Sequence, residues 1–125
     1  MGFKWIRGYN ILDSQAGPLF TLSTKSVYGL RADPLNPSRF SSFSEDGIIR
    51  IWDISISSPD PIMNIIADFK MGIADACFSP TMSGLLCAIG KDCNILKFWQ
   101  IQNGNSRHVQ SIPPEFCKKV FMASN

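Results

Sequence analysis

"FSSFSEDGIIRIWDIS", residues 40–55, decides how the whole chain is read. It begins with Phe40-Ser41-Ser42-Phe43, turns through Ser44-Glu45-Asp46-Gly47, and leaves through Ile48-Ile49-Arg50-Ile51 to Trp52-Asp53. Asp and Gly tolerate positive φ, and Asp bonds its own backbone, so the middle of the phrase is a hairpin turn. The apolar runs on either side are strands. A related phrase, "LLCAIGKDCNILKFWQIQ", returns at residues 85–102.

The two phrases belong to a longer repeat. Pro34 and Pro80 are 46 residues apart, as are Asp46 and Asp92, and Trp52 and Trp99 are 47 apart. The first unit predicts strands at Val27–Ala32, Arg39–Phe43, Ile48–Trp52 and Ile62–Ala67. The second predicts Ile73–Phe78, Leu85–Ile89, Ile95–Trp99 and His108–Ile112. Ahead of them, "WIRGYNILD" and "PLFTLST" read as the last two strands of an earlier unit, with Asp13 in the place that Asp53 takes later. The strands are apolar on both faces, so both faces of each sheet are expected to be covered. A four-stranded sheet that recurs every 40–50 residues or so is a propeller blade. The expected fold is all-β: about two and a half four-stranded antiparallel blades. The division is a partial blade at 1–24, blades at 25–68 and 69–112, and an irregular tail or start of a further blade at 113–125.

"SEDGIIRIWD" resembles the WD-repeat signature, and "ACFSPTMSGLL" resembles the matching first strand, Ser-Pro turn and second strand. The likeness covers residues 7 to about 112. It implies that Trp52 and Asp53 are structural. In WD repeats a turn Asp, a His before the first strand, a second-strand Ser or Thr and the Trp indole share a buried hydrogen-bonded chain. Such donors need acceptors, at about 1–3 kcal/mol for each one stranded. By resemblance the members here are Asp46, Ser42 or Ser44, and Trp52, with Asp92 and Trp99 in the second unit. The His position falls near Ser23 and Phe69, and the second unit ends in Gln100 rather than Asp, so the network is incomplete.

A narrower resemblance is to the Mio (missing-oocyte) family, whose yeast relatives belong to the SEA complex. It rests on the Asp33-Pro34 turn, Arg39-Phe40-Ser41-Ser42-Phe43, Pro80-Thr81 with Gly84-Leu85-Leu86, and Asp92, Asn94 and Ile95. Family members are much longer: a propeller, a helical solenoid and a zinc-binding C-terminal region. The resemblance implies a scaffold role in the GATOR assembly, promoting amino-acid signalling to the target-of-rapamycin kinase at the lysosome. A WD adaptor of another complex is the alternative.

Composition narrows the remaining classes. At 45% hydrophobic and 18% charged, the 125 residues suit a globular chain. The net charge is +2 and the basic pair Lys118-Lys119 is too short for a nucleic-acid surface. The expected partners are therefore other subunits of a protein complex, with no nucleic acid. No apolar run approaches the roughly 20 residues of a membrane helix, so contact with a membrane is expected only through the complex. The start lacks a secretory core and a myristoylation Ser or Thr at position 6. Location is expected to be intracellular. Cys77, Cys87, Cys93 and Cys117 form no C-x-x-C pair and His108 is the lone histidine, so buried thiols are expected rather than a metal site. No G-x-S-x-G, H-E-x-x-H or phosphate loop is present. The carboxylates in Ser44-Glu45-Asp46 read as turn-formers, so neither catalysis nor a cofactor is expected. Blades without neighbours leave apolar faces open, which predicts self-association of the isolated chain.

Overall fold

The computed structural model describes residues 4–8, 20–24, 27–56, 58, 60–91, 95–102 and 104–112. These form strands β1 (Lys4–Gly8), β2 (Phe20–Thr24), β3 (Gly29–Ala32), β4 (Arg39–Phe43) and β5 (Ile48–Asp53). They continue with β6 (Met63–Ile66), β7 (Ile73–Phe78), β8 (Leu85–Gly90), β9 (Leu96–Gln102) and β10 (Asn105–Ile112). β1 and β2 pair with each other, β3-β4-β5-β6 make a four-stranded meander, and β7-β8-β9-β10 make a second. Every pairing is antiparallel. The architecture is about two and a half blades of a β-propeller.

Strand ends differ from expectation where turn geometry intervenes. β3 starts at Gly29, not Val27, because the Tyr28 N–H is already bonded to Phe43 O at 2.8 Å. The Phe43 ring lies so close that a Cβ on Gly29 would sit 2.5 Å from it. β6 is confined to Met63–Ile66, since Ala67 bonds back to Gly47 and Asp68 turns the chain with φ 56°. β9 runs on to Gln102, and β10 begins at Asn105, so the last hairpin is longer than the Trp99 motif suggested. The Ser44–Gly47 turn closes as expected, with Gly47 at φ 76° and its N–H on Ser44 O. The second acidic turn, at residues 92–94, lies outside the described residues, as do Asp13 and the 113–125 tail.

The two meanders stack face to face. β7 packs on β3 and β4, and β10 on β6, so first strand meets first strand and last meets last. Side chains alternate between faces along each strand. Phe43, Ile49, Ile51 and Ile65 from the first sheet meet Phe78, Leu86, Ala88 and Trp99 from the second in one buried cluster. The opposite face of the first sheet carries Trp52, which packs with Ile6 of β1, Val27 and Phe40. The first four-stranded sheet is therefore covered on both sides. Among the described residues the second is covered on one side only. Its other face carries Cys77, Cys87, Ile89, Leu96 and Phe98, which line an open cleft. The expectation of buried thiols is corrected here: Cys77 is exposed and Cys87 half-buried, because nothing among the described residues covers that face. Cys93 and Cys117 lie outside the described residues.

Candidate functional site at the blade joints

Trp52 is 1% exposed at the end of β5. Its cross-strand neighbour is Phe40, and the two rings stack with centroids 6.2 Å apart. The indole Nε1 donates to Ser42 Oγ at 2.9 Å. Ser44, two residues on and also buried, has a different partner. Its hydroxyl donates to Asp46 Oδ1. Arg50 completes this second group: Nη2 bonds Asp46 Oδ2 at 2.7 Å and Nη1 bonds Ser44 Oγ at 3.1 Å. The Ile48 N–H adds a bond to Asp46. The two serines thus serve two networks, Trp52–Ser42 and Ser44–Asp46–Arg50. The structure does not bring Asp46 and Trp52 into one chain.

Electrostatics follow from these contacts. Burial pushes the Asp46 carboxyl up, but bonds from Arg50, Ser44 and the Ile48 N–H, with the Arg50 charge, outweigh it and bring it from 3.8 to about 2. Asp53 stands apart. It accepts the Ser55 hydroxyl and N–H in a local turn, and these bonds, helped by Arg39, hold its carboxyl below the ordinary range.

The second sheet repeats the layout with different chemistry. Trp99 is 4% exposed and faces the first sheet, as Trp52 faces β1. Adding the 46-residue offset to Ser42 gives Ala88, which offers no hydroxyl to the indole. Trp99 instead meets the His108 ring edge-on, with centroids 5.9 Å apart. Gln100, in the place of Asp53, sends its Nε2 to Ser83 O at 2.9 Å. Asp92 lies outside the described residues.

Sequence reasoning missed two cations. Arg50 and Lys97 are 47 residues apart, the spacing of the tryptophans, and each lies two residues before its Trp. Arg50 holds its own hairpin turn. Lys97 reaches across the joint: its Nζ bonds Ala67 O and Asp68 O, both at 2.9 Å, and sits 4.9 Å from the Phe69 ring centroid. Phe69 fills the place near which a WD repeat carries His. An open cleft of about 390 Å³ lies beside this joint, lined by Tyr28, Glu45, Asp46, Phe69, Met71 and Lys91 among others. Lys91 lies over the Tyr28 ring at 4.4 Å, and Tyr28 donates to Glu45. Glu45 and Asp46 therefore have separate partners and do not act as a carboxylate pair. Among the described residues no group of three or more His, Cys, Asp or Glu is placed to hold a metal ion.

Comparison with known proteins adds to this geometry. The GATOR2 complex protein MIOS of Dictyostelium discoideum is 34% identical over 101 residues, which is 81% of this chain and 9% of that protein. The chain is a stretch of WD-repeat β-propeller that resembles MIOS. MIOS-A of Xenopus laevis is 30% identical over 82 residues, 66% of this chain and 9% of that one. Human NEDD1 is 32% identical over 76 residues, 61% of this chain and 11% of its own. The chain thus spans about a tenth of the length of the curated relatives it matches. A chain in the crystal structure of the mitotic checkpoint complex superposes with a TM-score of 0.63 at 21% identity, over 81% of this chain and 31% of that one. At that identity the superposition shows the fold alone. No protein-family model matches. Among the described residues, whose elements are all strands, no helix is long and apolar enough to cross a membrane.

Proposed function

We propose that the chain is a non-catalytic protein-interaction scaffold of a GATOR2-type complex, in the manner of MIOS, and that it promotes amino-acid signalling to the target-of-rapamycin kinase. It works in the cytoplasm and at the lysosomal or vacuolar surface through the complex rather than by entering the membrane. Its partners are other subunits of that complex, not nucleic acid, and it uses no cofactor. The observation that carries this reading is the 34% identity to MIOS over 81% of the chain. The geometry supports it from the other side. Ser42, Ser44, Asp46, Trp52 and Asp53 are spent on holding blades and turns, which is a structural use of the motif. Trp99, buried against the first sheet, holds the second unit in the same capacity.

The test is affinity purification of the tagged chain from its own cells after brief cross-linking, with quantitative mass spectrometry. Subunits of the MIOS-containing complex should dominate the recovered proteins. The similarity to NEDD1 favours a second reading, a WD adaptor of a different complex. Recovery of another assembly without those subunits would establish it and remove the first.

A further inference from the structure

The face of the second sheet that no described element covers carries a pair of thiols. Cys77 of β7 and Cys87 of β8 stand directly opposite in the antiparallel register, so they share that face. With Ile89, Leu96 and Phe98 they line an open, largely apolar cleft of about 400 Å³. The ladder fixes their geometry. The Ser79 N–H bonds Leu85 O at 2.8 Å, which makes Ser79 and Leu85 a hydrogen-bonded pair. Pair types alternate along the ladder, so Cys77 and Cys87, two steps away, are a hydrogen-bonded pair as well. In such pairs the Cα atoms are about 5.5 Å apart, inside the window for a disulfide. The Cβ atoms, about 4.5–5.5 Å apart, sit wider than in most relaxed bridges. A bridge would therefore have to draw the two strands together by about 1 Å, at the cost of strain. Strained and exposed disulfides are the easily reduced kind that serve regulation.

We propose that Cys77 and Cys87 form a reversible cross-strand disulfide, closed by a small-molecule disulfide, and only while this sheet face is uncovered. The incoming disulfide meets the exposed Cys77 first. The Cys77 thiolate attacks one of its sulfurs and expels one small thiolate, leaving a mixed disulfide. The Cys87 thiolate then attacks the Cys77 sulfur and expels the second. The protein pair gives up two electrons and two protons, and the oxidant leaves as two thiols. Burial and the neighbouring Asp75 raise the Cys77 thiol above its ordinary range, against a smaller opposing pull from Arg31. Thiolate is therefore scarce at neutral pH, the first step is slow, and brief oxidant exposure leaves the pair reduced. The covered joint shows what docking does to this position. Ser41, which is 46 residues before Cys87 and so its equivalent on the first sheet, is 0% exposed beneath the second sheet. A sheet docked over Cys77 and Cys87 shuts out the oxidant in the same way, so the bridge marks chains whose face is open.

The experiment uses the full chain with Cys93→Ser and Cys117→Ser, incubated with excess oxidised glutathione, then alkylated and mapped by non-reducing peptide mass spectrometry. The expected product is an intramolecular Cys77–Cys87 link that disappears on adding reduced glutathione and is absent from a further Cys77→Ser variant. Once Cys77 carries glutathione, its displacement by Cys87 should run at least tenfold faster in the folded chain than in chemical denaturant, because the ladder holds the two residues opposite each other. The four-cysteine parent, mapped in parallel, gives the same link and shows that the serine changes did not create it. Persistent glutathione on Cys77 without the link, links only between molecules, or a Cys87 displacement step no faster than in denaturant would each overturn the proposal.

Discussion

At the scale of single residues, two adjacent serines make the sharpest contrast in the molecule. Ser41 and Ser42 are both buried, at 0% and 2% exposure. Ser42 accepts the Trp52 indole, whereas Ser41 Oγ has no hydrogen-bond partner. Ser42→Ala strands a buried donor and should cost about 1–3 kcal/mol. Ser41→Ala removes an unpaired hydroxyl and should be neutral or stabilising. Equilibrium denaturation of both variants at one protein concentration checks this, and equal losses in the two would remove the role given to Ser42. Asp46 supplies a pH signature. Its carboxyl is depressed in the folded chain, so its contribution is complete above 3.8 and disappears as pH falls toward about 2. Melting temperatures across that window should fall less steeply for Asp46→Asn than for the parent. Parallel curves would show that Asp46 is not held as described. The turn, Trp52 and the serines were legible in the sequence because each residue type announces its use. The split into two networks was not, since Ser42 and Ser44 share a face and differ only in which partner lies within reach, Trp52 for one and Asp46 with Arg50 for the other.

At the scale of elements, most strands were legible and most of their ends were not. Apolar runs between Gly, Pro and Asp placed all eight strands of the two full sheets, and the 46-residue offset supplied their order. Ends depend on contacts that no short window contains, such as Phe43 against Gly29 or Ala67 bonded to Gly47. The expected burial of Cys77 and Cys87 failed for a related reason. A strand apolar on both faces reveals that it suits cover, not that cover is present. Gly84 tests the element scale directly. It sits at φ 75° in the β7–β8 connection, its carbonyl accepts the Ile101 N–H, and a Cβ there would lie 2.6 Å from Ile101 O. Gly84→Ala should cost about 1–3 kcal/mol in backbone strain, with more from the collision. Gly104→Ala also has positive φ but open space around it, so it should cost less. A reversal of that order in thermal denaturation would contradict the packing of this connection against β9. Lys97→Met keeps much of the side-chain volume and removes the two carbonyl bonds, so it should loosen the Ala67–Asp68 joint. Hydrogen exchange at residues 66–70 should rise in that variant, while exchange in β8 stays unchanged.

At the scale of the whole molecule, the chain is a propeller arc: two full sheets stacked on a partial one, with the outer face of the second full sheet uncovered by any described element. That face carries the partly exposed Phe98 and Ile89, the buried Leu96 and two thiols. Exposed apolar faces of this kind drive association. Sedimentation velocity should therefore show species larger than monomer growing with concentration, and Phe98→Glu should suppress them. The repeat and its WD likeness made the arc legible from sequence, whereas which face stands open depends on which sheets are present. The two meanders fold and stack through Ile49, Ile51, Leu86 and Ala88. Hydrogen–deuterium exchange on the full chain tests this stacking most directly. Strong, matched protection of the interior strands β4, β5, β8 and β9 is expected, with fast exchange along the exposed strand β10. Rapid exchange throughout β8 and β9 while β4 and β5 stay protected would contradict it, because the second blade would then not be built on the first.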